Sequence, residues 1–192
     1  MAEIGLRERS KARRRAAIIR AAYELFAERG YDATTVADIA EAAEVAPRTV
    51  AMYFPAKQDI ALSRFSDGVA SLSTALRDRQ PGETLYDVFG RWLLTSQTAP
   101  EDREMYRLAR RMFAANPDLG ALRTARMAVA IRDGAAMIAD ETGSPADAIG
   151  PRIAAAATAA IAMEIVDTEP GTEREEAVAA AMRYLGGGIA AL

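Results

Sequence analysis

Arg48, Thr49, Met52 and Tyr53 fall within a short segment bounded by Pro47 and Pro55. Their spacing puts them on the outer faces of one helix, while Val50 and Phe54 turn inward. What these side chains offer is recognition rather than bond breaking. The planar fork of Arg48 matches O6 and N7 of guanine, a pairing that discriminates between bases by about 1–3 kcal/mol. It suits a phosphate equally well, and the sequence leaves both open. Thr49 and Met52 could meet thymine methyls, and Tyr53 is better suited to a phosphate. The chain has no histidine and no cysteine. It therefore lacks the commonest general base, the commonest metal ligand, any thiolate nucleophile and any disulfide. Neither a glycine-rich phosphate loop nor a metal-ligand spacing stands out. The expectation is a binding protein, not an enzyme, with no cofactor and no metal.

The elements that must position these residues are legible around them. Val36, Ile39, Ala40 and Ala43 recur at i, i+3, i+4 and i+7, the apolar stripe of a short helix. Thr35 stands before that stripe and Asp38 three residues later, the signature of a capping box. Glu44-Val45-Ala46 makes a turn, and Pro47 suits the first position of a second helix. Pro55 forbids that helix to continue. Two short helices joined this way form a helix-turn-helix, whose second member can enter a major groove. Lys57 opens the next helix, where a cation is a poor match for the macrodipole. A phosphate bound there would satisfy both the lysine and the free helix N–H groups.

The arrangement resembles the DNA-binding domain of the TetR family of bacterial repressors. The residues that carry the likeness are Thr34-Thr35-Val36, Ile39-Ala40, Ala43, Val45, Thr49, Tyr53-Phe54 and Lys57, with Ala21-Ala22, Leu25-Phe26 and Gly30-Tyr31 before them. The match covers about residues 10 to 65. It implies an all-α chain of about nine helices. A three-helix DNA-binding domain with a basic arm would occupy residues 1–56, and a helical effector-binding and dimerisation domain residues 57–192. The resemblance also implies that the start of the first helix-turn-helix member approaches the DNA backbone. The expected contact set is Arg14, Thr34, Thr35, Pro47, Arg48, Thr49, Met52, Tyr53 and Lys57. Three residues depart from the family pattern. Glu44 replaces a frequent turn glycine, Ala46 replaces a hydroxyl cap, and Ala51 stands where an aromatic residue is common.

Net charge is −3, but the charge is unevenly placed. Arg7, Arg9, Lys11, Arg13, Arg14 and Arg15 face only Glu3 and Glu8 in the first fifteen residues. From residue 58 onward acids outnumber bases by 19 to 14. A basic tip on an acidic body suits contact with a polyanion at one end. Residues 1–9 are expected to fray, with the first helix running from Ser10 to Arg29 and stopping at Gly30. The start of the chain is charged and lacks the apolar core of a signal peptide, so residence in the cytoplasm is expected. The apolar run Ile153 to Met163 is too short to span a bilayer. It reads as a buried helix of a soluble protein, with no membrane partner.

One helix is expected from Lys57 to about Arg79, followed by helices over 83–98, 100–115, 117–142, 145–166 and from Thr172 on, the last with a Thr172–Glu175 capping box. The final two are rich in alanine, and Ile153, Ala157, Ile161 and Ile165 repeat every four residues. Small side chains permit close approach to a broad surface. In TetR relatives these helices pair with those of a second subunit, which implies a homodimer through Ile153, Ala157, Ile161, Ile165, Ala180 and Tyr184. A dimer would present two recognition helices to a palindromic double-stranded operator. Packing within one subunit is the competing reading. The resemblance also implies an effector pocket among Phe65, Phe89, Trp92, Leu93, Met105, Tyr106, Met112, Met127 and Ile131. Polar candidates for orienting a ligand are Gln97, Arg110, Arg111, Asn116, Arg123 and Glu164. The same apolar stripes would equally serve as core. The functional expectation is a ligand-responsive, sequence-specific transcriptional repressor released from its operator by a small, largely apolar effector. The alternative is a DNA-binding regulator that acts constitutively or through a protein partner.

Overall fold

The computed structural model describes residues 5–96, 100–145, 147–166, 168 and 171–189. Gln97 and Thr98, expected within or at the end of a helix, lie outside them. The described residues form ten helices and no strand. In order these are α1 (Leu6–Arg29), α2 (Val36–Ala42), α3 (Pro47–Tyr53), α4 (Lys57–Ala61) and α5 (Ser63–Arg77). There follow α6 (Leu85–Thr95), α7 (Pro100–Ala115), α8 (Asp118–Thr142), α9 (Ile149–Val166) and α10 (Thr172–Ile189). The chain divides into two compact units. One comprises Met1–Ser66 with Arg107–Ala121, the other Asp67–Tyr106 with Leu122–Leu192.

In the first unit the inner stripe of α1, Ile18, Ala22, Tyr23 and Phe26, is at most 1% exposed. Ile39 and Ala40 of α2, Val50 of α3 and Ile60 of α4 close over it, with Met112 and Leu119 buried beside them. Each large apolar side chain so buried contributes about 1.5–3 kcal/mol. The first helix begins four residues earlier than expected, at Leu6 rather than Ser10. Arginine and lysine are good helix formers, Glu8 complements the dipole in the first turn, and Arg14 Nη2 donates to Ser10 Oγ at 2.9 Å. The basic segment is therefore helical from Leu6 and not a frayed arm.

The expected helix over 57–79 is two, α4 and α5, parted at Leu62. Tyr23 supplies the reason. Its hydroxyl lies 3.3 Å from Ser63 Oγ, and the Arg64 N–H donates to it at 3.5 Å. A side chain inserted into the i to i−4 ladder kinks a helix.

Asn116, proposed from sequence as a ligand-orienting group, does something else. Its Oδ1 accepts the Tyr31 N–H at 2.6 Å, and its Nδ2 donates to the carbonyls of Phe26 at 2.8 Å and Met112 at 2.7 Å. One amide thus ties the junction of α7 and α8 to the C-terminal end of α1.

In the second unit Phe89 and Leu93 of α6, Ile165 of α9, and Val178 and Leu185 of α10 form one buried cluster, with Trp92, Ile161 and Ala181 packed against it. Phe89 and Leu93, expected in a pocket, and Ile165, expected at a subunit interface, are core residues. All three face the centre of a helix packing that periodicity alone could not orient. The α6–α10 crossing is close. A Cβ on Gly90 would fall 2.8 Å from Met182 Cε, and one on Gly186 3.1 Å from the Tyr86 hydroxyl. Tyr86 Oη donates to the Met182 carbonyl at 2.5 Å. Gly186 and Gly187 lie inside α10 and do not end it.

The alanine-rich helix α9 overturns another expectation. It spans 18 residues with mean hydropathy 1.4, long and apolar enough by composition to cross a membrane, yet only 17% of it is buried. It is not a buried helix. Ile149 (63% exposed) and Ile153 (62%) stand out from it, and Tyr184 (71%) stands out from α10. Ala180 is exposed as well, whereas Ala157 and Ile161 are half-buried.

Candidate nucleic-acid interface

The helix pair α2–α3 forms as its local chemistry dictates. Thr35 Oγ1 accepts the Asp38 N–H at 3.1 Å, and Asp38 Oδ2 accepts the Thr35 N–H at 2.7 Å, completing the box. These hydrogen bonds from Thr35 hold the Asp38 carboxyl below its ordinary pKa, so it stays ionised at the start of the helix. The turn passes through Glu44 at φ 53°, the one non-glycine residue with positive φ among the described residues. That conformation costs about 1–2 kcal/mol. Ala46 caps α3 without a side-chain hydrogen bond, and Pro47 occupies its first turn. Two of the three departures, those at Glu44 and Ala46, thus show in the local geometry.

On α3, Val50 and Phe54 are buried, while Arg48 and Met52 are exposed and Thr49 and Tyr53 half-exposed. Met52 is 78% exposed, unusual for a large apolar side chain. Beside it runs an open groove of about 480 Å³, lined by Met52 and Tyr53 on one side and by Leu6, Arg7, Glu8, Ser10, Lys11 and Arg14 on the other. Arg7, Lys11 and Arg14 are spaced i, i+4 and i+7 on α1, so one face of that helix carries three cations against the outer edge of α3. Arg15, off this face, places its guanidinium 5.3 Å over the Phe54 ring. Arg7 and Lys11 belong to the basic tip read from the sequence but not to the expected contact set, although their i, i+4, i+7 spacing with Arg14 is a visible signal.

Thr34 and Lys57 are placed differently from Arg14, Arg48 and Met52. Thr34 is 1% exposed and its hydroxyl donates to the Gly30 carbonyl at 2.8 Å. Its side chain is turned inward, so the exposed hydroxyl at this helix start is that of Thr35. Lys57 Nζ donates to the carbonyls of Tyr31 at 2.6 Å and Thr34 at 2.9 Å, and lies 4.2 Å above the Tyr31 ring. Those carbonyls account for a cation at a helix start, and the charge mismatch no longer argues for a phosphate. Burial raises the Tyr31 hydroxyl pKa, and Asp32 and Asp59 push it further the same way. Lys57→Met is expected to lower stability by about 1–3 kcal/mol in urea unfolding. An unchanged midpoint would show that the two carbonyl bonds anchor nothing.

Residues 18–63 match the family described as bacterial regulatory proteins, tetR family. The matched TetR segment runs from the buried part of α1 to the first residue of α5. Among curated relatives, the chain is similar to the HTH-type transcriptional regulator TcmR of Streptomyces glaucescens, 46% identical over 79 residues. That alignment takes in 41% of this chain and spans about a third (35%) of TcmR. Among solved structures, GusR of Salmonella enterica shares the fold at a TM-score of 0.62 and 19% identity, over 98% of this chain and 99% of that one. NalD of Pseudomonas aeruginosa, described as the secondary repressor of the MexAB-OprM multidrug efflux pump, shares it at 0.57 and 20%, over 91% and 96%. The shared fold therefore extends over nearly the whole chain, while the family match is confined to residues 18–63, within the first unit.

The apolar residues expected to line an effector pocket divide between the units. Phe65 (half-buried) and Met112 (buried) belong to the first, and Trp92, Met105, Tyr106, Met127 and Ile131 to the second. Within the second, Tyr106 is buried, the other four are half-buried, and Trp92 donates its indole N–H to Ser71 Oγ at 3.2 Å.

Proposed function

We propose that this chain is a sequence-specific DNA-binding transcriptional regulator, a homodimeric repressor released from its operator by a small, largely apolar effector. The observation that carries the reading is the juxtaposition of exposed Arg48 and Met52 on α3 with the Arg7–Lys11–Arg14 face of α1. The helix α3 reads base edges in the major groove while the cations of α1 follow the adjacent phosphates. Being a DNA-bound regulator, the protein works in the cytoplasm.

The second copy docks on the uncovered face of α9 and α10. Exposed Ile149, Ile153 and Tyr184 support this, as does the small share of α9 that the chain itself buries. Arg152 and Glu164 within α9, and its packing against α6 and α10, favour a partner subunit over a bilayer. Dimerisation sets two copies of α3 about one turn of DNA apart (~34–36 Å) for palindromic half-sites. The effector binds better to a conformer in which that spacing is lost. Moving occupancy from 99:1 to 1:99 needs a preference of about 10⁴ between the two conformers.

Footprinting on DNA flanking its own coding region, followed by anisotropy on the protected site, tests the reading. Arg48→Ala should cost about 1–3 kcal/mol and relax preference at one base position. If the variant keeps the parent's footprint and base preference, Arg48 does not read a base.

A further inference from the structure

Arg174 stands in the first turn of α10, one helical turn ahead of Val178, on the stripe that continues through Ala181 and Leu185 into the core. The pattern asks for an apolar residue there, and Arg174 as a whole is only 5% exposed. Its Nη2 donates to the Leu93 carbonyl at 3.1 Å and to Ser96 Oγ at 3.1 Å, which caps the last turn of α6. Nε and Nη1 are buried and meet no acceptor among the described residues. Burial lowers the pKa of this guanidinium, with Tyr106 acting in the opposite direction.

A buried cation is costly unless an anion or acceptor compensates it, and orphaned donors in a native interior imply a partner. Two features say what that partner is. The N–H groups of the first turn of α10, an 18-residue helix, add to the positive potential around Arg174. Its surroundings are apolar: Val178 one turn on and Leu93, whose carbonyl it meets, both belong to the buried cluster of this unit. We infer that Arg174 anchors the anionic end of the effector, an apolar molecule carrying one carboxylate. The inference rests on the ligand-responsive reading above and names the chemical class that the second unit takes.

The test uses the full chain and matched probes: decanoate, 4-phenylbutyrate and 2-naphthoate, each against its primary amide. Binding to the folded state raises the melting temperature by mass action. At least one acid should stabilise the protein with about tenfold or greater preference over its amide. Arg174→Gln should erase that preference, and Arg174→Lys, which keeps the charge but not the fork, should retain part of it. The lysine variant carries the test if the glutamine variant does not fold. Equal stabilisation by acid and amide, a preference that survives Arg174→Gln, or no stabilisation by any acid reduces Arg174 to a cap on α6. A parallel operator-binding assay separates the two readings. If only neutral compounds release DNA, the effector-responsive regulator stands and the anchor falls. If acids bind through Arg174 without altering DNA affinity, the anchor stands and the repressor mechanism falls.

Discussion

Ile153→Glu is expected to yield a monomer at micromolar concentration and to lower affinity for a two-half-site operator by about 10²–10⁴-fold. Linking two weak DNA contacts in one molecule makes the second an intramolecular event, and the gain scales with the effective concentration so produced. Ile153 is 62% exposed on α9, so the substitution removes little from the fold of a single chain. Its effect should fall on whatever covers that face, because a glutamate desolvated there has no compensating cation from Ile149, Ala157 or Tyr184. Tyr184→Arg on α10 should act in the same direction. Sedimentation equilibrium and fluorescence anisotropy with one or two half-sites are the measurements. A variant that stays dimeric with parental affinity would place the interface elsewhere. Partition of the parent into vesicles would instead give the apolar face to a bilayer.

The second large effect is on stability. Asn116→Ala should destabilise the first unit by about 2–4 kcal/mol, because it leaves the Tyr31 N–H without its acceptor and two carbonyls without their donor. In a chain of this size that lowers the melting temperature by roughly 5–15 °C. Asn116→Asp sharpens the test. An aspartate can still accept from Tyr31, but it presents a negative oxygen to the carbonyls of Phe26 and Met112. It should therefore be at least as damaging as alanine. Should both variants melt with the parent, the amide is not what holds the α7–α8 junction to α1. The side chain makes no part of the α3 face, so DNA affinity below the transition should change far less than stability.

Much of the local structure of the candidate interface was legible in the sequence because its determinants are local. The Thr35–Asp38 box, the proline at the start of α3, the strained turn at Glu44 and the inward Val50 and Phe54 all follow from residues within a turn or two of each other. The same reasoning failed where an element's neighbour was unknown. Residues 6–9 read as a frayed basic arm, whereas they continue α1 and put Arg7 on one face with Lys11 and Arg14. The break at Leu62 depends on a hydroxyl 41 positions before Arg64. The orientation of α9 was misjudged because an alanine-rich sequence has little amphipathic contrast to say which side is covered.

The order of residues alone thus determined an all-α chain with a helix-turn-helix whose outward side chains suit nucleic acid. Helical periodicity and end-capping are properties of short stretches, and they survive whatever the rest of the chain does. Only the tertiary structure decided what the isolated polar groups are for. Lys57 is bound to a carbonyl 26 residues away, Asn116 to an amide 85 away and Arg174 to a carbonyl 81 away. A polar side chain taken from water must find its partner wherever the fold brings one within about 3 Å, and no local pattern encodes that meeting.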